Sequence, residues 1–310
     1  MRVVFWGTPQ FADTALRTLV AAGRNVVGIV TQPDRPAGRG RKTQPPPVKL
    51  TAEESGIPVL QPEKPWGDEF MAGFRAFEPD ITVVAAYGHI LKPEVLELPR
   101  LGSFNVHASL LPKLRGAAPV NWAIIRGHAE TGVTIMRMVE KLDAGPMILR
   151  ARCEVAARTI AGALYAELAE LGARTLLDAL ALLEAGNAVE EMQDEAEATY
   201  APKLSVDDVR IDWSLPAEQL DRWIRGCDPV PGSWTELNGA RVRIFAPQPS
   251  GEAAEEEPGI VVSADPRVGL AVATGSGVLQ VGEVQPAGKR RMKAVEWIRG
   301  RGVAQGAWFR

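Results

Sequence analysis

Val3–Trp6 is a short apolar run with β-branched and aromatic residues, the pattern of a buried strand. Gly7-Thr8-Pro9 stops it and opens a helix. Thr8 is placed to cap that helix and Pro9 to occupy its first position. The helix extends to about Ala22, before Gly23, and Asn25–Val30 is a second strand. A strand-helix-strand opening predicts a parallel sheet. Ile81–Ala86, Ser103–His107, Val133–Met138 and Met147–Leu149 read as further strands. Helical stretches fall near Val48–Ser55, Asp68–Phe77 and Ala117–Arg126, and a long amphipathic helix covers about Ile160–Glu184.

The pattern changes after Glu190, Glu191, Asp194, Glu195 and Glu197, an acidic run with few large apolar groups that reads as a linker. Beyond it, one helix near Ala217–Arg225 precedes short apolar runs. Trp234–Leu237 and Val242–Phe245 flank Asn238-Gly239, a strong hairpin dipeptide because both positions accept positive φ. Ile260–Val262, Val268–Ala273 and Val278–Val284 follow, then a helix near Ala294–Arg299. Several short strands at close spacing predict a small β-barrel. The expected division is 1–189 for an open α/β domain with a parallel-rich sheet, 190–204 for a linker, and 205–310 for the barrel.

Length agrees with this: 310 residues, at roughly 100–200 per domain, suggest two domains. A hydrophobic fraction of 46% and a charged fraction of 24% are ordinary for a globular chain and exclude disorder and coiled coil. No uncharged apolar run reaches the ~18 residues of a membrane span. Met1-Arg2 leads straight into Val3–Trp6, too short a run for a secretory leader. With only Cys153 and Cys227, no disulfide framework or Cys-rich zinc site is expected, and a reducing cytoplasm is the natural setting. The net charge of −3 argues at first against a nucleic-acid partner. Basic residues are nevertheless segregated. The long loop Thr31–Lys42 carries Arg35, Arg39, Arg41 and Lys42 against Asp34 alone, with prolines and glycines that argue against regular structure. Lys289, Arg290, Arg291 and Lys293 form a second cluster, in the expected barrel. Both suit a phosphate backbone. A solvated loop and a solvated charge run are the competing readings.

Candidate chemistry concentrates in Ser103–Pro112. Asn105 and His107, two apart on a strand, share a face at its carboxyl end, where open α/β sheets place their sites. A core histidine bonded to backbone is the alternative. Asp143, in Leu142-Asp143-Ala144-Gly145, could orient a histidine or simply form the turn. Gly7-Thr8-Pro9 is not G-x-G-x-x-G, which argues against NAD. No metal is expected, since no ligand cluster stands out.

Taken together, Gly7-Thr8-Pro9, the Thr31–Lys42 loop, Asn105-Val106-His107, the run Ser109–Pro119 and Leu142–Gly145 closely resemble the methionyl-tRNA formyltransferases, over almost the whole chain. The Asn-x-His, Ser-Leu-Leu-Pro and Asp elements are shared by folate-dependent formyltransferases generally, whereas the loop and C-terminal domain resemble the tRNA-specific branch. The resemblance implies formyl transfer from 10-formyltetrahydrofolate to the α-amine of initiator methionyl-tRNA, without a metal. It implies an N-terminal Rossmann-like formyltransferase domain and a C-terminal barrel of the oligonucleotide-binding type. It maps the catalytic set onto Asn105, His107 and Asp143. Asn105 would donate to the oxyanion, His107 would protonate the leaving folate nitrogen, and Asp143 would hold His107. It maps folate contacts onto Ser109, Leu110, Leu111 and Pro112, with Tyr87, Gly88 and Ile90 near the pterin, and leaves His89 out. Arg35, Arg39, Arg41 and Lys42 would meet the acceptor end. Lys289, Arg290, Arg291 and Lys293 would meet more distant phosphates. A single-chain, cytoplasmic enzyme without membrane attachment is expected. Two alternatives remain: a formyltransferase for a sugar-nucleotide or other small amine, and a non-catalytic RNA-binding protein.

Overall fold

Val3–Gly7 forms β1, buried throughout, and the chain turns through Thr8 and Pro9 into α1 (Gln10–Ala21). The computed structural model describes residues 1–37 and 42–310. Thr8 does not cap α1; Pro9 occupies the cap position. The Thr8 hydroxyl instead donates to the Tyr87 carbonyl at 3.3 Å and accepts from the Gln32 amide at 3.4 Å. The expected cap is thus replaced by a tie between three strand ends, possible because all three leave the sheet at the same edge.

After β2 (Val26–Val30), the segment expected to be irregular contains a short antiparallel pair, β3 (Arg35–Ala37) and β4 (Lys42–Gln44), with Pro36 opposite Thr43. Proline is tolerated there because a two-stranded ribbon leaves one side of each strand free of ladder bonds. There follow α2 (Pro47–Glu54), β5 (Val59–Leu60), α3 (Asp68–Ala76), β6 (Ile81–Ala85), α4 (Pro93–Leu96), β7 (Ser103–His107), α5 (Pro119–Ile125), β8 (Glu130–Arg137), β9 (Met147–Glu154) and α6 (Ala161–Glu184). The main sheet has the order β5-β2-β1-β6-β7-β8-β9. It is parallel from β5 through β7, while β8 and β9 add antiparallel strands at one flank. β9 runs five residues past the expected end at Leu149. Its later residues alternate charged and apolar, as an edge strand requires, so a search for apolar runs misses them. On one face of the sheet, Trp6 meets Phe70, Phe74 and Tyr87 edge-on at ring distances of 5.6, 5.3 and 5.0 Å, an arrangement aromatic quadrupoles favour.

The C-terminal part contains α7 (Ala217–Gly226), β10 (Trp234–Leu237), β11 (Ala240–Pro249), β12 (Val261–Asp265), β13 (Gly269–Ala273), β14 (Val278–Pro286), β15 (Met292–Lys293) and α8 (Ala294–Arg299). Its strands form one antiparallel sheet ordered β10-β11-β14-β13-β12, with β15 on β14, consistent with a small barrel. Asn238 and Gly239 take φ of 52° and 76°, making the expected hairpin. Leu220 and Ile224 of α7, Ile244 of β11, Leu279 and Val281 of β14 and Ile298 of α8 share one apolar core.

Two compact units result. One comprises Met1–Pro119, Glu130–Glu154 and Tyr165–Ala201; the other comprises Val120–Ala129, Val155–Leu164 and Pro202–Arg310. The acidic run is not a free tether. Glu190 pairs with Arg137 at 2.5 Å, Glu191 with Arg150 at 2.7 Å, and Glu195 with Arg115 and Lys141 at 3.0 and 2.7 Å, all within the first unit. Among the described residues no helix is long and apolar enough to cross a membrane.

Candidate active site

β7 carries the site because of its neighbours. Parallel β6 aligns Val84 with Asn105, and antiparallel β8 sets Met136 opposite Asn105 and Thr134 opposite His107. The period of two then puts both polar side chains on one face at the strand's carboxyl end. His107 is buried, at 5% side-chain exposure. Its Nε2 lies 3.0 Å from the Leu114 carbonyl. A carbonyl only accepts, so Nε2 carries the hydrogen and donates it. Nδ1 faces the Asp143 carboxylate, with Oδ2 at 3.7 Å. The Asp143 Oδ2 also accepts from the Gly116 amide at 2.8 Å. The competing readings of His107 therefore describe its two nitrogens: one is bonded to backbone, and the other is turned to a carboxylate. Asn105 is half-buried, and its amide makes no hydrogen bond to any described residue.

Asp143 sits at φ 48°, in the left-handed region that aspartate tolerates better than bulky residues do. Gly145 closes its turn so tightly that a Cβ there would lie 1.9 Å from the Arg137 carbonyl oxygen. The Leu-Asp-Ala-Gly sequence is thus both a turn and a means of presenting a carboxylate.

The Ser109–Pro112 segment is largely turned inward. The Ser109 hydroxyl donates to the Lys113 carbonyl at 2.6 Å, and its own carbonyl accepts from the Thr134 hydroxyl at 2.7 Å. Thr134 in turn accepts from the Leu111 amide at 3.1 Å. The Leu111–Pro112 bond is cis. Leu111 and Pro112 are buried and Leu110 is half-buried. Tyr87 is buried against Trp6, and burial raises its hydroxyl well above the ordinary tyrosine range. Gly88 is exposed and Ile90 is 77% exposed. His89 packs beside Tyr87, ring to ring at 5.7 Å.

Arg35 is exposed, its guanidinium 3.4 Å from the Gln32 side-chain oxygen. Lys42 begins β4, and Arg39 and Arg41 lie outside the described residues. In the second unit, Lys289, Arg290 and Lys293 are exposed and make no ion pair with a described residue. Arg291 differs. It pairs with Asp228 at 2.7 Å and Glu283 at 2.5 Å and stacks 4.0 Å over the Phe245 ring. Burial pushes the Cys153 and Cys227 thiols up to about 11, so neither is a thiolate at neutral pH. Among the described residues no group of His, Cys, Asp and Glu could hold a metal.

Motif reading misses Thr134, which shapes the Ser109–Pro112 segment, and Gln193, whose side-chain amide donates to the Asp143 and Gly145 carbonyls at 2.8 and 2.7 Å. Both act from distant strands or loops, and neither stands in a recognisable pattern. Arg115 and Gly116 stand inside the quoted run, yet nothing in its spacing assigns them a task.

A family model for formyl transferases matches residues 1–180, and a model for the formyl transferase C-terminal domain matches residues 203–302. A curated methionyl-tRNA formyltransferase of Desulfotalea psychrophila is 48% identical over 300 residues, 97% of this chain and 93% of that protein. Among solved structures, HypX from Aquifex aeolicus in complex with tetrahydrofolic acid aligns with a TM-score of 0.65 at 19% identity, over 96% of this chain and 46% of that one. The chain therefore spans about half the length of the HypX structures it matches. The sugar 3N-formyltransferase WlaRD aligns with a TM-score of 0.65 at 15% identity, over 94% of this chain and 99% of that one. Identities this low establish the shared fold alone.

Proposed function

The chain belongs to the formyl transferase family, and on that premise we propose that it moves a formyl group from 10-formyltetrahydrofolate to the α-amine of initiator methionyl-tRNA. The enzyme is a methionyl-tRNA formyltransferase using a folate-type donor. The observation that carries the site assignment is the convergence of Asn105, His107 and Asp143 at the carboxyl end of β7, with Asn105's amide unengaged and His107 Nδ1 facing a carboxylate.

The amine attacks the formyl carbon, a new N–C bond forms, and the carbonyl oxygen gains negative charge. Asn105 donates to that oxyanion from a sheet strand that needs no reorganisation, which is where such donors are strongest. The bond to the folate N10 then breaks. N10 must gain a proton as the attacking nitrogen loses one. His107 Nδ1 is the ring nitrogen left to carry it, because Nε2 is held by Leu114. Asp143 keeps the ring oriented. Leu110, Gly88 and Ile90 meet the folate directly, and the buried Ser109, Leu111, Pro112 and Tyr87 shape that surface from beneath. Arg35, Arg39, Arg41 and Lys42 meet the acceptor end, and Lys289, Arg290 and Lys293 meet phosphates farther away. Arg291 sits in that cluster as a bracing residue. The division into a catalytic part, 1–189, a joining segment, 190–204, and a tRNA-binding part, 205–310, belongs to this proposal. So do a single-chain working unit and a cytoplasmic setting.

A formyl-transfer assay with 10-formyltetrahydrofolate tests the reading. Charged initiator tRNA should be formylated far faster than an aminosugar nucleotide or free methionine. Activity confined to small amines would overturn the tRNA assignment.

A further inference from the structure

The backbone that grips the two ends of the His107–Asp143 pair is strained. Leu114, Gly116 and Asp143 all take positive φ, at 61°, 118° and 48°. For Leu and Asp such conformations cost about 1–3 kcal/mol each and persist only where the surroundings over-determine them. The surroundings here come from one segment, residues 193–201, which supplies no catalytic group. The Leu114 amide donates to the Thr199 hydroxyl at 2.9 Å, and the Arg115 amide to the Thr199 carbonyl at 2.8 Å. The Ala201 amide donates to the Arg115 carbonyl at 2.7 Å. Between the two gripping residues, the Arg115 side chain is fully buried. Its Nε and Nη2 donate to the Gln193 side-chain oxygen at 3.0 and 2.8 Å, and both Nη atoms reach Glu195. The amide nitrogen of the same Gln193 holds the carbonyls of Asp143 and Gly145.

Gln193 therefore bridges two backbones. Its oxygen fixes Arg115, which lies between the Leu114 carbonyl on His107 and the Gly116 amide on Asp143. Its nitrogen fixes the turn that carries Asp143. A buried guanidinium left without acceptors would be destabilising, so the bridge is maintained from both sides. We propose that Gln193 and Arg115 are positioning residues that set the distance and angle between His107 and Asp143, with segment 193–201 serving as a strap for the reacting pair. This rests on the assignment of His107 and Asp143 to the chemistry.

The test uses the full chain and the formyl-transfer assay. Gln193→Glu keeps an acceptor for Arg115 and the same shape, but it sets a carboxylate oxygen against two carbonyls. Misplacement of reacting groups by about 1 Å can cost about 10²-fold, so kcat should fall about 10- to 100-fold. The KM values for both substrates should stay within about threefold, because the Gln193 side chain is buried and engaged with Arg115, Asp143 and Gly145. If Gln193→Glu does not fold, Gln193→Met removes the same donors without adding charge. Asp143→Asn and the double variant complete a cycle. Positioning through Asp143 requires that the Gln193 substitution has little further effect once Asp143 is replaced. Losses that multiply in the double variant, or a normal kcat for Gln193→Glu beside an impaired Asp143→Asn, would overturn the strap and leave the site assignment standing. Full activity of Asp143→Asn would overturn the site assignment and the strap with it.

Discussion

Replacing Asn105 with alanine separates catalysis from stability in a way the structure makes quantitative. The Asn105 amide engages no described residue, so its removal orphans no buried partner. What remains is a strand position exchanged for alanine, worth below about 1 kcal/mol. For a chain of 310 residues that lowers Tm by only about 1–2 °C. The expected effect on turnover is much larger. Loss of one preorganised oxyanion donor costs about 10²–10³ in kcat, or about 2.7–4 kcal/mol. His107→Ala provides the contrast, because it leaves the buried Leu114 carbonyl without its donor and should destabilise by about 1–3 kcal/mol as well as abolish transfer. The assay is single-turnover formyl transfer to charged tRNA, run beside thermal melts of both variants. Asn105→Ala with kcat reduced less than tenfold, or with a larger Tm loss than His107→Ala, would refute the assignment of Asn105 as an uncommitted donor.

The cations of the second unit should divide by partner. Lys289→Ala, Arg290→Ala and Lys293→Ala should each leave Tm nearly unchanged and reduce the dependence of log tRNA affinity on log salt by about 0.7–0.9. Arg291→Ala should instead destabilise by about 3 kcal/mol in denaturant unfolding, because it leaves Asp228, only 1% exposed, without its counter-ion. Glu195 gives a pH signature. Hydrogen bonds from Arg115 and Lys141 hold its carboxyl down at about 2 against an ordinary 4.5. Its contribution to stability is therefore fully present above about pH 4.5 and lost as pH falls toward 2. Glu195→Gln should flatten the fall of stability across that window, as followed by urea unfolding at stepped pH. An unchanged slope would remove Glu195 from the strap.

Much of this architecture could be read from apolar periodicity. β1, β2 and β6 are nearly continuous apolar runs because parallel strands are buried on both faces, and such runs are conspicuous. The hairpin at Asn238-Gly239 was equally plain, since its turn chemistry is local. Legibility failed where polar residues had tertiary partners. Residues 150–154 of β9 alternate Arg, Ala, Arg, Cys and Glu, and only pairing with β8 shows them to be strand. Thr8 looked like a cap because capping is the commonest local use of a threonine there. Its actual partners, Gln32 and Tyr87, come from other strands. At the site, Asn105 and His107 were visible from a spacing of two. Asp143 was not separable from an ordinary turn until its carboxylate was found against His107 and the Gly116 amide. Gln193 has no local signature, since it lies among exposed residues, Met192 and Asp194 on either side, and its partners are residues some fifty and eighty positions away.

The same distinction changes the meaning of the charge balance. A net charge of −3 weighs every carboxylate equally, but an acid paired at hydrogen-bond distance with an arginine of its own unit presents little field beyond that pair. Glu190, Glu191 and Glu195 are of this kind: they neutralise Arg137, Arg150, Arg115 and Lys141 and fasten their segment to the rest of the first unit. Arg291 is the corresponding case among the cations, held by Asp228 and Glu283. In the second unit Lys289, Arg290 and Lys293 are exposed cations without an ion-pair partner among the described residues, and they act on a polyanion that comes within a Debye length of about 8 Å at physiological salt. Three acids of the run that reads as a linker, Glu190, Glu191 and Glu195, are thus tied by ion pairs into the first unit.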